Sequence, residues 1–351
     1  MTSPAPFQFL PLGAIIQTFF VGKTNIVQGF PKQADYVAHN GPFFGETIGR
    51  VANRVKNAKI DSLNNKSYAL AANNGVNSLH GGVTGWGKRV WEGPKLVGVK
   101  SIDGLEGGKV GEGLEGGESV KFSLKSEDGD EGYPGEVDAS VTYTTGTQKT
   151  ESGKVVNVLG IEYEVELVGG AEETAVNVTN HSYFNLTGGP SIEGTVVTLC
   201  TNQYLPVNDG GIPTSTSTTA YPGVESSKPI NLGPEEPDID DCFIVSPPSA
   251  SSIPLDTRRS PLTKLVTAYH PETKINFEVL STEPAFQFYT GKYIDVPEVE
   301  GQVARGKRSG FCVEPSRYVN AVNVPEWRGQ VLLKKGEKYA SRVVYRGWSD
   351  E

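Results

Sequence analysis

The sequence predicts an all-β fold, a large antiparallel β-sandwich or barrel, from three observations. Apolar and polar residues alternate with period 2 through much of the chain, the pattern of strands with one buried face. Turn dipeptides such as Asp-Gly and Pro-Gly, and the cluster Asn208-Asp209-Gly210-Gly211, punctuate those runs. The 351 residues include 42 glycines, 23 prolines and one methionine, and no apolar stripe of helical period lasts three turns, so long helices are disfavoured.

The strands follow in chain order. "FQFLPLGAIIQTFFVG" reads as a strand pair interrupted at Pro11 and Gly13. No positive charge precedes it, the first lysine being Lys23, and it has no small-x-small cleavage site. A signal peptide is therefore not expected, and the run is too short to span a bilayer. "SVKFSLKS" places Val120, Phe122 and Leu124 on one face, and "EVDASVTYTT" does the same with Val137, Ala139, Val141 and Tyr143. "GIEYEVELVG" sets Ile161, Tyr163, Val165 and Leu167 against Glu162, Glu164 and Glu166. "KINFEVLS", "AFQFYTG", "SGFCVEP" and "KYASRVVYRG" continue the pattern. The Gly/Glu-rich stretch 103–119 and the Ser/Thr-rich stretch 212–227 read as loops. The same strand style resumes beyond both, so residues 1–351 are expected to form a single domain.

Charge and cysteine usage narrow the function. A net charge of −9, with no basic patch interleaved with aromatics, argues against nucleic acid and anionic membranes as partners. Cys200, Cys242 and Cys312 are few, odd in number and without a CxxC, which fits a reducing compartment and a cytoplasmic location. The four histidines, His39, His80, His181 and His270, show no metal-ligand spacing, so neither a metal nor another cofactor is expected. A GxSxG elbow, a P-loop and a GxGxxG opening a helix are all missing, which leaves serine nucleophiles and nucleotide binding unsupported. Nothing in the sequence fixes an oligomeric state.

Residues 177–188, "NVTNHSYFNLTG", carry three Asn-x-Ser/Thr triplets around His181. Read as an extended chain, Val176, Val178, Phe184 and Leu186 fall on one side. Asn177, Thr179, His181, Tyr183 and Asn185 fall on the other. That second face is an array of amide, hydroxyl and imidazole groups rather than charges, suited to sugar hydroxyls or to a buried polar network. An ordinary strand with a polar outer face is the alternative. In a cytoplasmic protein the three triplets are coincidental to glycosylation.

Other polar anchors sit beside tight-turn residues. "IGRVANRV" carries Arg50, Asn53 and Arg54, and "NNGVNSLHGG" puts His80 before Gly81 and Gly82. "DIDDCFIV" opens an apolar strand with Asp240 and Asp241. "AFQFYTGKYID" alternates Phe286 and Phe288 with Gln287 and Tyr289. "GFCVEPSRYVNAVN" has Glu314 opposite in parity to Phe311 and Val313. Taken singly, each also has a structural use: Arg50 and Arg54 as sheet-edge ion pairs, His80 as a turn cap, Asp240 and Asp241 in an Asx turn, Glu314 as a satisfied carboxylate.

Together these segments resemble one family. "FFGETIGRVANRV", "NNGVNSLHGG", "NVTNHSYFNLTG", "DDCF", "FQFYTGKYID" and "GFCVEPSRYVNAVN", spanning about residues 40–325, are similar in type and order to the aldose 1-epimerases, or galactose mutarotases. The closing "VLLKKGEKYASRVVYR" resembles that family's last strand pair. The resemblance implies a β-sandwich of supersandwich type and a monosaccharide cleft. It implies interconversion of the α and β anomers of free aldoses such as galactose and glucose. It casts His181 as catalytic acid and Glu314 as catalytic base. Asn53, Arg54, His80, Tyr183, Asp240 and Gln287 then bind hydroxyls or the ring oxygen. One departure follows the base, where Pro315-Ser316-Arg317 replaces the family's frequent Thr-Gln; an Arg317 that reached Glu314 would lower its pKa. A glycosidase using Asp240 and Glu314, or a non-catalytic sugar-binding module, are the alternatives on the same cleft. A sugar-phosphate epimerase would draw on Arg305, Lys307, Arg308 and Arg317.

Overall fold

The computed structural model describes residues 5–245, 252–299 and 301–350. Its frame is a ten-stranded antiparallel sheet. In spatial order the strands are Pro229–Asn231, Val196–Leu199, Thr263–His270, Ile275–Ser281, Lys338–Ser349, Val155–Gly169, Glu136–Lys149, Ser119–Ser126 and Glu92–Leu96. Leu114–Glu115 adds to Glu136–Lys149 off that path. The predicted alternation is realised here: Val137, Val141, Tyr143, Ile161, Tyr163 and Val165 all enter the main core, while Glu164 and Glu166 face Lys338 on the open side.

A second sheet of six strands runs Tyr183–Phe184, Phe311–Ser316, Ala285–Tyr289, Asp240–Ile244, Gln203–Tyr204 and Thr219–Ala220. One of its faces packs on the first sheet through Phe243, Phe286, Phe288, Phe311 and Val313. Phe184 meets Phe277 at 4.1 Å and Tyr345 at 5.2 Å between ring centres. The N-terminal run is the expected strand pair, Phe7–Leu10 against Ile15–Val21, with Thr24–Asn25 added. Phe9 stacks on Tyr143 at 4.4 Å and closes one side of the core. Among the described residues there is one α-helix, Gln33–His39, whose Tyr36 packs edge-on against Phe30. None of the described helices is long and apolar enough to cross a membrane.

Three expectations need correction. Residues 175–186 are not one strand: Thr179–Asn180 pairs with Thr47–Ile48, whereas Tyr183–Phe184 pairs with Phe311–Ser316 in the six-stranded sheet. Arg50 is not at a sheet edge. It is buried and donates to the carbonyls of Pro134, Gly135, Ser126 and Glu127, which disperse its charge without a carboxylate. Arg317 does not reach Glu314. It lies three positions on, at the opposite parity, and pairs instead with Glu283 at 3.1 Å.

Candidate active site

Parity in the six-stranded sheet builds one wall. With Phe286, Phe288, Phe311 and Val313 committed to the core, the intervening Gln287, Tyr289, Cys312 and Glu314 must point the other way. Register sets them side by side: Gln287 lies opposite Glu314, Tyr289 opposite Cys312, Asp240 opposite Tyr289, and Tyr183 opposite Cys312. The facing wall comes from loops. Arg54–Val55 pairs with Ser78–Leu79, and His80 follows immediately at φ +52. Gly81, at φ +82, is packed so closely on the Gly49 carbonyl that an added Cβ would lie 2.0 Å from its oxygen. The turn that aims His80 inward therefore requires glycine.

All eight residues singled out from the sequence line one cleft of about 490 Å³: Asn53, Arg54, His80, His181, Tyr183, Asp240, Gln287 and Glu314. His181 and Glu314, 133 positions apart in the chain, meet with Nε2 and Oε1 at 3.6 Å. Both side chains are only 6 % exposed. Gln287 links the walls, accepting from Asn53 Nδ2 at 3.1 Å and donating to Asp240 Oδ1 at 2.8 Å. Arg54 donates to Asn74 Oδ1 at 3.1 Å and is the one lysine or arginine among the lining residues. His181 is bracketed by ring contacts to His80 and Tyr183, each at 5.1 Å, and by Cys312 Sγ at 3.5 Å from Nδ1.

The electrostatics follow from burial. Desolvation raises the Glu314 carboxyl to about 8, with Asp240 adding to the rise and Arg54 opposing it. Desolvation lowers the His181 imidazole to about 3, and the cation of Lys88 lowers it further. His80 is held well below the ordinary imidazole value by burial and then by His181, Arg54 and Lys88. Burial thus biases the carboxyl toward its acid form and both imidazoles toward their neutral form.

His80, His181 and Glu314 bring their donor atoms within 4.8 Å of one another, the spacing of a metal trio. The hydrogen bonding of His80 argues against that use. Its Nδ1 accepts the Asn53 amide at 3.3 Å, which places the imidazole proton on Nε2. The remaining nitrogen is then a donor rather than a lone pair for a cation.

Tyr289, named from the sequence beside Gln287 but given no role there, also lines the cleft; Phe43, Asn74, Asp209, Tyr293 and Asp295 were not singled out, because they come from loops whose path alternation does not encode. Of the polar face proposed for 177–185, only His181 and Tyr183 reach the cleft. Asn177 accepts the Arg317 amide at 2.9 Å, and Asn185 donates to the carbonyls of Gly189 and Ser309.

The profile of the aldose 1-epimerase family matches residues 5–346. The chain belongs to that family. It is 40% identical over 344 residues to the bifunctional protein GAL10 of Pachysolen tannophilus, covering 95% of this chain and 44% of that one. It is 35% identical over 324 residues to the galactose mutarotase of Bos taurus, covering 90% and 82% respectively. The chain therefore spans less than half the length of the bifunctional relative and most of the mutarotase. The solved GalM/aldose epimerase homologue from C. elegans has the same fold, with a TM-score of 0.76 over 98% of this chain and 96% of that one, at 22% identity.

Proposed function

We propose that the protein is an aldose 1-epimerase that interconverts the α and β anomers of free aldoses such as galactose and glucose. The observation that carries this reading is the 3.6 Å approach of His181 Nε2 to Glu314 Oε1 inside a cleft of monosaccharide size. Opening a cyclic hemiacetal needs one base at the O1 hydroxyl and one acid at the ring oxygen O5. Glu314, as carboxylate, takes the O1 proton; the C1–O5 bond breaks as the C1–O1 double bond forms; His181, as imidazolium, delivers its proton to O5. Rotation about C1–C2 presents the other carbonyl face; as the ring closes, His181 takes the proton back from O5 and Glu314 returns its proton to O1.

The proton count of the pair is compatible with this scheme. A carboxyl acid beside a neutral imidazole holds the same single proton as a carboxylate beside an imidazolium, so the reactive form is reachable by transfer within the pair. His80 Nε2–H and Arg54 are the donors available to the ring oxygen and its neighbours as charge shifts. Asn53, Gln287, Asp240 and Tyr183 supply fixed neutral and anionic partners for hydroxyls.

A phosphorylated sugar fits less well, because none of the basic residues named for phosphate lines the cleft. Arg305 donates to the Gly29 carbonyl, Arg308 to those of Gly233 and Pro237, Lys307 pairs with Glu235, and Arg317 with Glu283. The family match across both sheets supports reading residues 1–351 as one domain. The test is polarimetry on freshly dissolved α-D-galactose and α-D-glucose. The protein is expected to accelerate the decay of optical rotation; an unaltered decay over a panel of aldoses would remove the assignment.

A further inference from the structure

The loop wall of the cleft is held by a lysine that the acid/base scheme does not use. Phe43, at φ +69, lies with its ring 4.9 Å from His80 and 5.6 Å from His181. Behind it, Lys88 ends the short 3-10 turn Trp86–Lys88 and places Nζ 4.7 Å from the centre of the Phe43 ring. The same Nζ donates to Glu46 Oε1 at 2.5 Å and to the Asn40 carbonyl at 2.6 Å. The Glu46 side chain is 2 % exposed and also accepts from Asn40 Nδ2 at 2.7 Å. Gly87 makes room for it, since a Cβ there would lie 2.1 Å from Glu46 Oε2. The backbone of this loop is tied to the candidate acid in both directions: the His181 amide donates to the Glu46 carbonyl at 2.9 Å, and the Gly45 amide donates to the His181 carbonyl at 3.1 Å. One ion pair therefore fixes Phe43 and the His181 backbone together.

We propose that Lys88, anchored by Glu46, is a positioning residue of the epimerase reaction, seating Phe43 against both imidazoles and placing a cation behind them. The inference rests on the acid/base reading given above. A fixed cation disfavours protonation of the groups near it, and Lys88 lowers the His181 and His80 imidazoles in this way. The other groups facing the His181–Glu314 pair are His80, Cys312, Asp240, Arg54 and Tyr183. Facing Glu46 are Lys88, Asn40 and Tyr36. Burial raises the Glu46 carboxyl to about 7 against the pull of Lys88 and Asn40. Above that pH Glu46 neutralises Lys88; below it the full cation acts on the imidazoles.

The test is the pH profile of kcat/KM by polarimetry for the full chain and three variants. Lys88→Met is expected to move the acid limb to higher pH, by roughly half a unit to one unit for a unit charge at this range, with little change at the alkaline limb, where Glu46 already neutralises the lysine. Glu46→Gln leaves the cation uncompensated above about pH 7 and is expected to move the alkaline limb to lower pH, while the acid limb stays in place because Glu46 is protonated there in any case. Lys88→Arg keeps the charge and is expected to restore the wild-type limbs. A raised acid limb in the first variant and a lowered alkaline limb in the second support the inference. A Lys88→Met enzyme whose rate falls while its limbs stay put has lost only a structural contact, and overturns it. So does a Lys88→Met profile identical to wild type. If Lys88→Met does not fold, the Glu46→Gln alkaline limb decides alone, and its staying in place also overturns the proposal. A wild-type protein with no epimerase activity sinks the function reading instead, so the two failures are distinguishable.

Discussion

Glu314 and His181 are displaced from their ordinary pKa values in opposite directions by one cause, removal from water. A carboxyl raised to about 8 and an imidazole lowered to about 3 leave the pair with one proton throughout the interval between. The sign for catalysis follows directly. Above about pH 8 the single proton is lost and ring opening lacks an acid; below about pH 3 a second proton is bound and it lacks a base. kcat/KM is expected to be level from pH 5 to 7 and to fall about tenfold per unit well above 8, measured by polarimetry at fixed ionic strength. A profile with no alkaline limb up to pH 9 would contradict this. Replacing one member, as His181→Ala or Glu314→Gln, should cost roughly 10²–10⁴-fold in kcat, the usual size of a lost general acid or base. Near-normal turnover in both variants would show that the pair does not carry the reaction. These two residues were legible in the sequence because each stands out against its strand: an imidazole amid amides, and a carboxylate between apolar neighbours. Lys88 was not legible, since a lysine in "GWGKRVW" reads as a solvated charge until Glu46 is seen buried beneath it.

At the level of elements, alternation revealed the long strands and misjudged the short ones. Glu136–Lys149 and Val155–Gly169 pair over their whole lengths, so their period-2 pattern is also their structure. In "NVTNHSYFNLTG" the parity sorted core from non-core correctly, with Val176, Val178, Phe184 and Leu186 all in the main core. It did not reveal that the segment leaves one two-stranded ladder and joins another sheet at His181, because pairing partners 130 residues away leave no local mark. The loop wall was legible only as glycines beside a histidine, and Gly81 gives that hint a mechanical meaning. Gly81→Ala forces a Cβ into the Gly49 carbonyl at a backbone conformation that costs a side-chain residue about 1 kcal/mol or more, so the turn carrying His80 must shift. A displacement of that kind is expected to lower kcat/KM by roughly 10- to 10²-fold while far-ultraviolet circular dichroism stays that of the wild type. Kinetics unaltered in Gly81→Ala would mean that the position of His80 is not critical.

Across the whole molecule, the two sheets are joined where Arg317 leaves Phe311–Ser316 and Glu283 connects Ile275–Ser281 to Ala285–Tyr289. Both side chains are fully buried, and Arg317 also donates to the Leu255 carbonyl and lies 5.0 Å from the centre of the Tyr339 ring. From the sequence, Arg317 mattered for its closeness to Glu314 and as a candidate phosphate ligand. In the fold, its opposite parity sends it through the sheet to the core side, so the Glu314 carboxyl keeps its raised pKa and the arginine becomes a tie between layers. A buried pair of this kind stabilises little relative to a well-packed apolar substitute, yet breaking it strands a charge. Arg317→Met alone is therefore expected to cost about 3–5 kcal/mol, because the Glu283 carboxyl, already raised by burial, loses the cation that opposes that rise. Arg317→Met combined with Glu283→Leu should recover most of that loss, and both should be read as urea midpoints at constant slope. Equal losses in the single and double variants would mean that packing around Tyr339, rather than charge compensation, holds the two sheets at this point.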